Sequence, residues 1–158
     1  MKENSPKQDP TPPDCFRQAE VEAFQLFEDQ PLGTVHYYVW RQNSKSAFLY
    51  AIELYFENGD TLLLSSGEAS DGIRIIAPES LVATAQKLKE LHGEAMIQRI
   101  VANMQPLWRD VIGAKLLEIQ LTRHESGLYS NEAILLDFGS TQILLELSEK
   151  DGLELGEY

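Results

Sequence analysis

An ordered series of turn and strand signals occurs twice in this chain of 158 residues. Leu32-Gly33 opens an alternating run over 34–40, and Ile112-Gly113 opens another over 114–122. After a polar loop come two closely similar stretches, Ala51-Ile52-Glu53-Leu54-Tyr55-Phe56 and Ala133-Ile134-Leu135-Leu136-Asp137-Phe138. A turn follows each (Asn58-Gly59 and Gly139-Ser140), then Leu62-Leu63-Leu64 or Ile143-Leu144-Leu145. Both series close on Asp-Gly and an alternating tail, at Asp71-Gly72 and Asp151-Gly152. The offset is 80 at the first glycine, 82 in the second strand and 80 again at Asp-Gly. Length changes therefore fall in turns, where insertions are tolerated.

Alternation with period two is the signature of a half-buried strand, and Asn-Gly and Asp-Gly supply the positive φ of tight hairpins. An ordered match of this length reads as internal duplication. The expected architecture is α+β, with two four-stranded antiparallel β-meanders at about 33–77 and 113–156. A helical connector over 79–105 joins them, and residues 14–158 form a single domain. The meanders either face each other as a sandwich or run on as one sheet with helices on one side.

The connector begins at Pro78-Glu79-Ser80, with proline suited to a first helical turn and the glutamate to the positive dipole end. Leu81, Val82, Ala85, Leu88 and Leu91 recur at helical spacing, and Gly93 is a suitable stop. A second helix is expected to follow, with Met96, Ile97, Ile100, Val101 and Met104 on one face and Pro106 ending it. Phe16, Ala19, Ala23, Phe24 and Phe27 allow a helix within 14–27, although 21–27 also fits a strand. The first 13 residues hold Pro6, Pro10, Pro12 and Pro13 and read as a disordered, proline-rich tail.

Composition narrows the function classes. The formal net charge is −12, so nucleic acid is not an expected partner, because phosphate binding needs clustered Lys and Arg. The longest apolar run is the six residues 47–52, far short of the roughly 20 that span a bilayer. The start lacks the apolar core of a signal peptide, and the single Cys15 suits a reducing compartment, so the expectation is cytoplasmic, without membrane association. One cysteine excludes an internal disulfide framework and a multi-thiolate metal site. The acidity is uneven: residues 78–110 carry 4 basic and 4 acidic groups, residues 111–155 carry 3 and 8. Such a surface serves solubility and edge protection, or steers the chain toward a basic partner.

No phosphate-binding glycine loop, nucleophile elbow or metal-binding helix motif is present. The histidines lie on separate elements without metal-ligand spacing among them; neither a metal nor a cofactor is expected. His92 reads as a helix-end cation and His124 as a solvated turn residue.

His36 is more informative. If Val35, Tyr37 and Val39 share a core with Ile52, Leu54 and Phe56, antiparallel pairing sets His36 opposite Glu53 on the other face. It also sets Tyr38 opposite Ala51, Trp40 opposite Leu49 and Thr34 opposite Tyr55. The second copy carries Glu118, Gln120 and Asp137 where the first has Tyr38, Trp40 and Tyr55. Aromatics gather accordingly, with seven in 31–77 against two in 111–155. Such a face is covered by another element, for which the segment with Phe16, Phe24 and Phe27 is the obvious lid, or forms a dimer interface, or lines a ligand pocket.

Two functions are carried forward. The first is a non-enzymatic acidic module that docks a protein partner, basic in character, or a second copy. The alternative is a small-molecule binder or enzyme with Tyr38, Trp40 and Tyr55 as its surface. In it His36 acts as base and Glu53 orients it.

Overall fold

The computed structural model describes residues 11–43, 46–66 and 72–158. Most of the proline-rich tail, and Asp71 of the first Asp-Gly turn, lie outside the described residues. In chain order the elements are α1 (Gln18–Gln25), β1 (Gln30–Asn43), β2 (Ser46–Phe56), β3 (Thr61–Ser65) and β4 (Arg74–Ile75). Then come α2 (Pro78–His92), β5 (Ile97–Val101), α3 (Pro106–Arg109) and β6 (Lys115–Leu116). The chain closes with β7 (Glu118–Arg123), β8 (Tyr129–Asp137), β9 (Gln142–Leu147) and β10 (Leu153–Glu157).

The fold is α+β, with two antiparallel sheets and a helix between them in the chain. One is a curled six-stranded half-barrel in the order β4-β3-β2-β1-β5, with β6 pairing the start of β1. The other is a meander in the order β10-β9-β8-β7. Alternate residues of both feed one core: Val35, Ile52, Leu54, Leu62 and Leu64 from the first meet Ile119, Ile134, Leu136, Ile143 and Leu145 from the second. Trp108 is fully buried in the same cluster and donates its indole N–H to the Tyr37 hydroxyl at 2.6 Å.

The first sheet therefore has six strands where four were expected. The second connector helix does not form: Ile97–Val101 is a strand, pairing Tyr38 with Arg99 and Trp40 with Ile97. Local β-branching at Ile97, Ile100 and Val101 favours extension. The deciding factor is remote. β1 is 14 residues long, and its second edge needs backbone partners. β6 supplies them at Gln30 and Pro31 and β5 from His36 onward. Between the two, the Asn103 side chain accepts the Val35 N–H at 2.8 Å. Pro106 then starts α3 rather than ending a helix.

α2 keeps its expected limits. Pro78 lies in the first turn, Lys89 and His92 in the last, and Gly93 takes the left-handed conformation (φ 76°) with its N–H on the Lys89 carbonyl. Its apolar stripe is thinly used, since only Leu81 is buried while Val82 and Leu91 stay exposed.

The N-terminal segment is helical over α1 and ties the sheets together. Phe16 and Phe24 meet edge to face at 5.1 Å inside the common core, and Phe27 lies 5.3 Å from Phe56. They do not cover the aromatic face, as a lid there would require. Two carboxylates of this segment satisfy sheet-edge donors: Glu20 accepts the Ile75 N–H at 3.1 Å, and Glu28 the Ile119 N–H at 3.0 Å. Unpaired edges invite association, and these contacts blunt two of them.

Candidate functional site

The outer face of the six-stranded sheet carries the residues singled out above. Thr34 pairs with Tyr55, His36 with Glu53 and Tyr38 with Ala51, the register that alternation predicts. Beyond Tyr38 a bulge intervenes, so Trp40 faces Phe48 and not Leu49. Leu49 turns inward against the core, and Tyr50, the extra residue, turns outward. A bulge adds one residue and reverses the alternation beyond it. Trp40 consequently stacks on Phe48 at 5.4 Å and meets Tyr50 edge-on at 5.2 Å.

Tyr38 and Trp40 thus belong to one outer cluster with Tyr50, Ala51 and Leu63, over which α2 places Leu81. The covering element is α2. Tyr55 is not brought to this cluster and stands 44% exposed at the other end of β2.

Beside the cluster the polar groups converge. His36 Nδ1 lies 2.9 Å from Glu53 Oε1, and both side chains are 13% exposed. Arg99 donates from Nη2 to the same oxygen at 3.1 Å, and the Tyr38 hydroxyl donates to Oε2 at a longer 3.4 Å. Arg99 Nη2 is also 3.3 Å from His36 Nδ1. One nitrogen cannot donate to Glu53 and accept from Arg99 at once. The shorter, charge-assisted contact assigns the Nδ1 proton toward Glu53 and leaves Nε2 as the second ring position. Burial first, then the Glu53 charge, pushes the Tyr38 hydroxyl up, so it stays protonated and a donor.

A crevice of about 190 Å³ opens next to this group. Its walls are Tyr38, Glu53, Leu63 and Ile97 from the sheet, Arg99 from β5, and Pro78, Leu81, Val82 and Ala85 from α2. The His36 ring is outside these walls; its geometric role is to hold the Glu53 carboxylate. Arg99 was missed in the sequence because it was read into a helix. The β-branched Ile97, Ile100 and Val101 around it are the local signal for a strand there.

A second constellation joins Asp14, Cys15 and His124, whose ligand-type atoms all lie within 4.8 Å of one another. His124 is not merely solvated: its Nε2 is 3.2 Å from Asp14 Oδ2, and its Nδ1 accepts the Ser126 N–H at 3.1 Å. The latter bond places the neutral ring's proton on Nε2, facing Asp14, which makes a hydrogen-bonded clasp and not a free ligand set. Burial and then the Asp14 carboxylate push the Cys15 thiol up. Burial likewise raises Tyr37. A group held protonated in the fold and ionising earlier in the unfolded chain contributes stability below its unfolded pKa, lost as pH rises. Urea unfolding is therefore expected to show falling stability above about pH 9, near the ordinary thiol pKa. Cys15→Ala should flatten the first part of that decline; an unchanged slope would count against this assignment.

In the second sheet the outer face differs from expectation. Glu118 lies opposite Asp137 as Thr34 lies opposite Tyr55, so Gln120 is the counterpart of His36, not of Trp40. The row Gln120, Leu135, Leu144 crosses three strands, with both leucines half-exposed. Glu118 directly opposes Asp137 on one side of it, and Glu146 directly opposes Glu154 on the other. A shallow depression of about 190 Å³ lies there, lined by residues of β7–β9 and Tyr158. Leu135 and Ala133 line this open depression.

Among the described residues, no helix is long and apolar enough to cross a membrane. Comparison of the chain with protein-family models, curated proteins and solved structures gave no match.

Proposed function

We propose that the protein is a non-enzymatic docking module that binds a basic partner protein on the outer face of the four-stranded sheet. The observation that carries this reading is the pair of opposed carboxylates, Glu118 with Asp137 and Glu146 with Glu154, flanking the Leu135–Leu144 stripe. Like charges directly opposite on adjacent strands destabilise a sheet. Among the described residues none of the four forms a salt bridge that would offset this. A partner presenting Lys or Arg beside an apolar ridge relieves the repulsion and covers the leucines at once.

A synthetic amphipathic helix of Leu and Lys serves as the probe in a fluorescence titration. Binding is expected at low salt, weakening about tenfold or more as ionic strength rises from 50 to 300 mM, because exposed charges are screened. The double replacement Glu146→Lys, Glu154→Lys should weaken it further, while Glu125→Lys, in the β7–β8 turn, should matter much less. Equal binding of a Leu–Glu helix, or indifference to the double replacement, would remove the proposal.

We also infer that the two meanders descend from one duplicated unit. Their last three strands share a register: Tyr55 with Thr61 and Leu64 with Ile75 correspond to Asp137 with Gln142 and Leu145 with Leu155. The contacts between copies are reciprocal as well. Gly72 abuts Asn131 of β8, and Gly152 abuts Leu49 of β2, the position equivalent to Asn131 at the 82-residue offset. Divergence then explains why one outer face is aromatic and covered by α2 while the other is acidic and open.

A further inference from the structure

The crevice between α2 and the six-stranded sheet lies apart from the acidic face and has a different chemistry. Six of its nine lining residues are apolar: Leu63, Pro78, Leu81, Val82, Ala85 and Ile97. The other three, Tyr38, Glu53 and Arg99, are bonded to one another at one wall. We propose that this crevice binds a small organic monocarboxylate, with its apolar body between α2 and the sheet and its carboxylate on Arg99.

The sign of the ligand's charge follows from how the polar wall is saturated. Glu53 already accepts from His36, Arg99 and Tyr38, so it has little capacity left for an ammonium group. Arg99 is 56% exposed, and its contacts to Glu53 and His36 run through Nη2. The same side chain lines the open crevice. A guanidinium offers its donors as a planar fork that matches a carboxylate. Among the described residues Arg99 is the only cation lining the crevice, and the chain is strongly acidic, so a singly charged anion is favoured over a phosphate or a polyanion.

Size follows from the volume. A protein cavity of about 150 Å³ accommodates benzene. A crevice of about 190 Å³ takes a body slightly larger. Phenylacetate and hexanoate have that shape, with the acid at one end. α2 suits such a site mechanically, because it rests on the sheet through Leu81 and leaves Val82 and Ala85 at the opening.

The test uses the full-length protein, with phenylacetate as probe and 2-phenylethanol as its neutral counterpart, followed by amide chemical-shift titration. The expected result is saturable shifts confined to Tyr38, Glu53, Arg99 and the first turns of α2, with phenylacetate bound at least about tenfold tighter than the alcohol. Arg99→Gln should erase that preference and leave the alcohol's affinity unchanged, because His36 and Tyr38 still hold Glu53. Ala85→Leu, which exchanges one strong helix former for another and fills the crevice, should abolish both. Equal affinity for acid and alcohol, a preference that survives Arg99→Gln, tighter binding of phenethylamine, or shifts mapping to the acidic face would each overturn the proposal. The helix-peptide titration at the acidic sheet is independent of all these outcomes.

Discussion

Arg74→Met is expected to cost about 3–5 kcal/mol of folding stability, the usual consequence of breaking a buried ion pair from one side. Arg74 is 7% exposed at the edge of the half-barrel, and its Nη1 lies 2.8 Å from Glu20 Oε1. The same guanidinium donates to the Cys15 carbonyl at 2.9 Å and to the Pro13 carbonyl at 2.9 Å, so one side chain holds the N-terminal segment at three points. Methionine preserves much of the stem volume but leaves the Glu20 charge buried, together with two carbonyls. In urea the unfolding midpoint should fall by about 1–3 M for a typical denaturant slope. Adding Glu20→Gln to Arg74→Met should recover part of the loss, because the amide oxygen can still accept the Ile75 N–H without carrying a charge. A single-variant loss below about 1 kcal/mol would mean that the pair is solvated and not structural.

Gly152→Ala is the second large effect, at roughly 2–5 kcal/mol. Gly152 has φ 81°, where a side chain costs about 1–2 kcal/mol. Its added Cβ would also lie 3.1 Å from the Leu49 carbonyl carbon, 2.7 Å from Phe48 Cδ2, and closer still to the Leu49 oxygen. Backbone on the opposite sheet cannot step aside as a flexible side chain does, so overpacking adds about 1–3 kcal/mol. Gly59→Ala is the matched control: its φ is 95°, but its Cβ would meet open space, so only the backbone cost applies. Thermal melts of the two variants should differ clearly. Similar losses would show that the sheets do not approach each other at Gly152.

Much of the first hairpin was legible because it depends on neighbours in sequence. Period-two alternation places His36 opposite Glu53 without any knowledge of the rest of the fold, and Pro78 and Gly93 bound α2 by local backbone preference. Failures came where remote partners decide. Residues 97–101 have an apolar spacing compatible with a helix, but an unpaired edge of β1 outweighs that pattern. The bulge at Tyr50 breaks the expected pairing of Trp40, since nothing local announces which residue will be left over. Arg99 follows from the same error.

The candidate sites divide in the same way. Sequence by itself determined the acidic bias of the second meander, the aromatic bias of the first, and the pairing of His36 with Glu53. These rest on composition and on a two-residue period, both properties of the linear chain. Tertiary structure alone decided that α2, and not the N-terminal phenylalanines, covers the aromatic face, and that Arg99 closes the polar group on Glu53. It also placed Glu118 against Asp137 and Glu146 against Glu154 around the two half-exposed leucines. Those outcomes depend on which surfaces remain once the longest strand has satisfied both edges and the sheets have shared one core. That competition is settled by contacts between residues far apart in the chain.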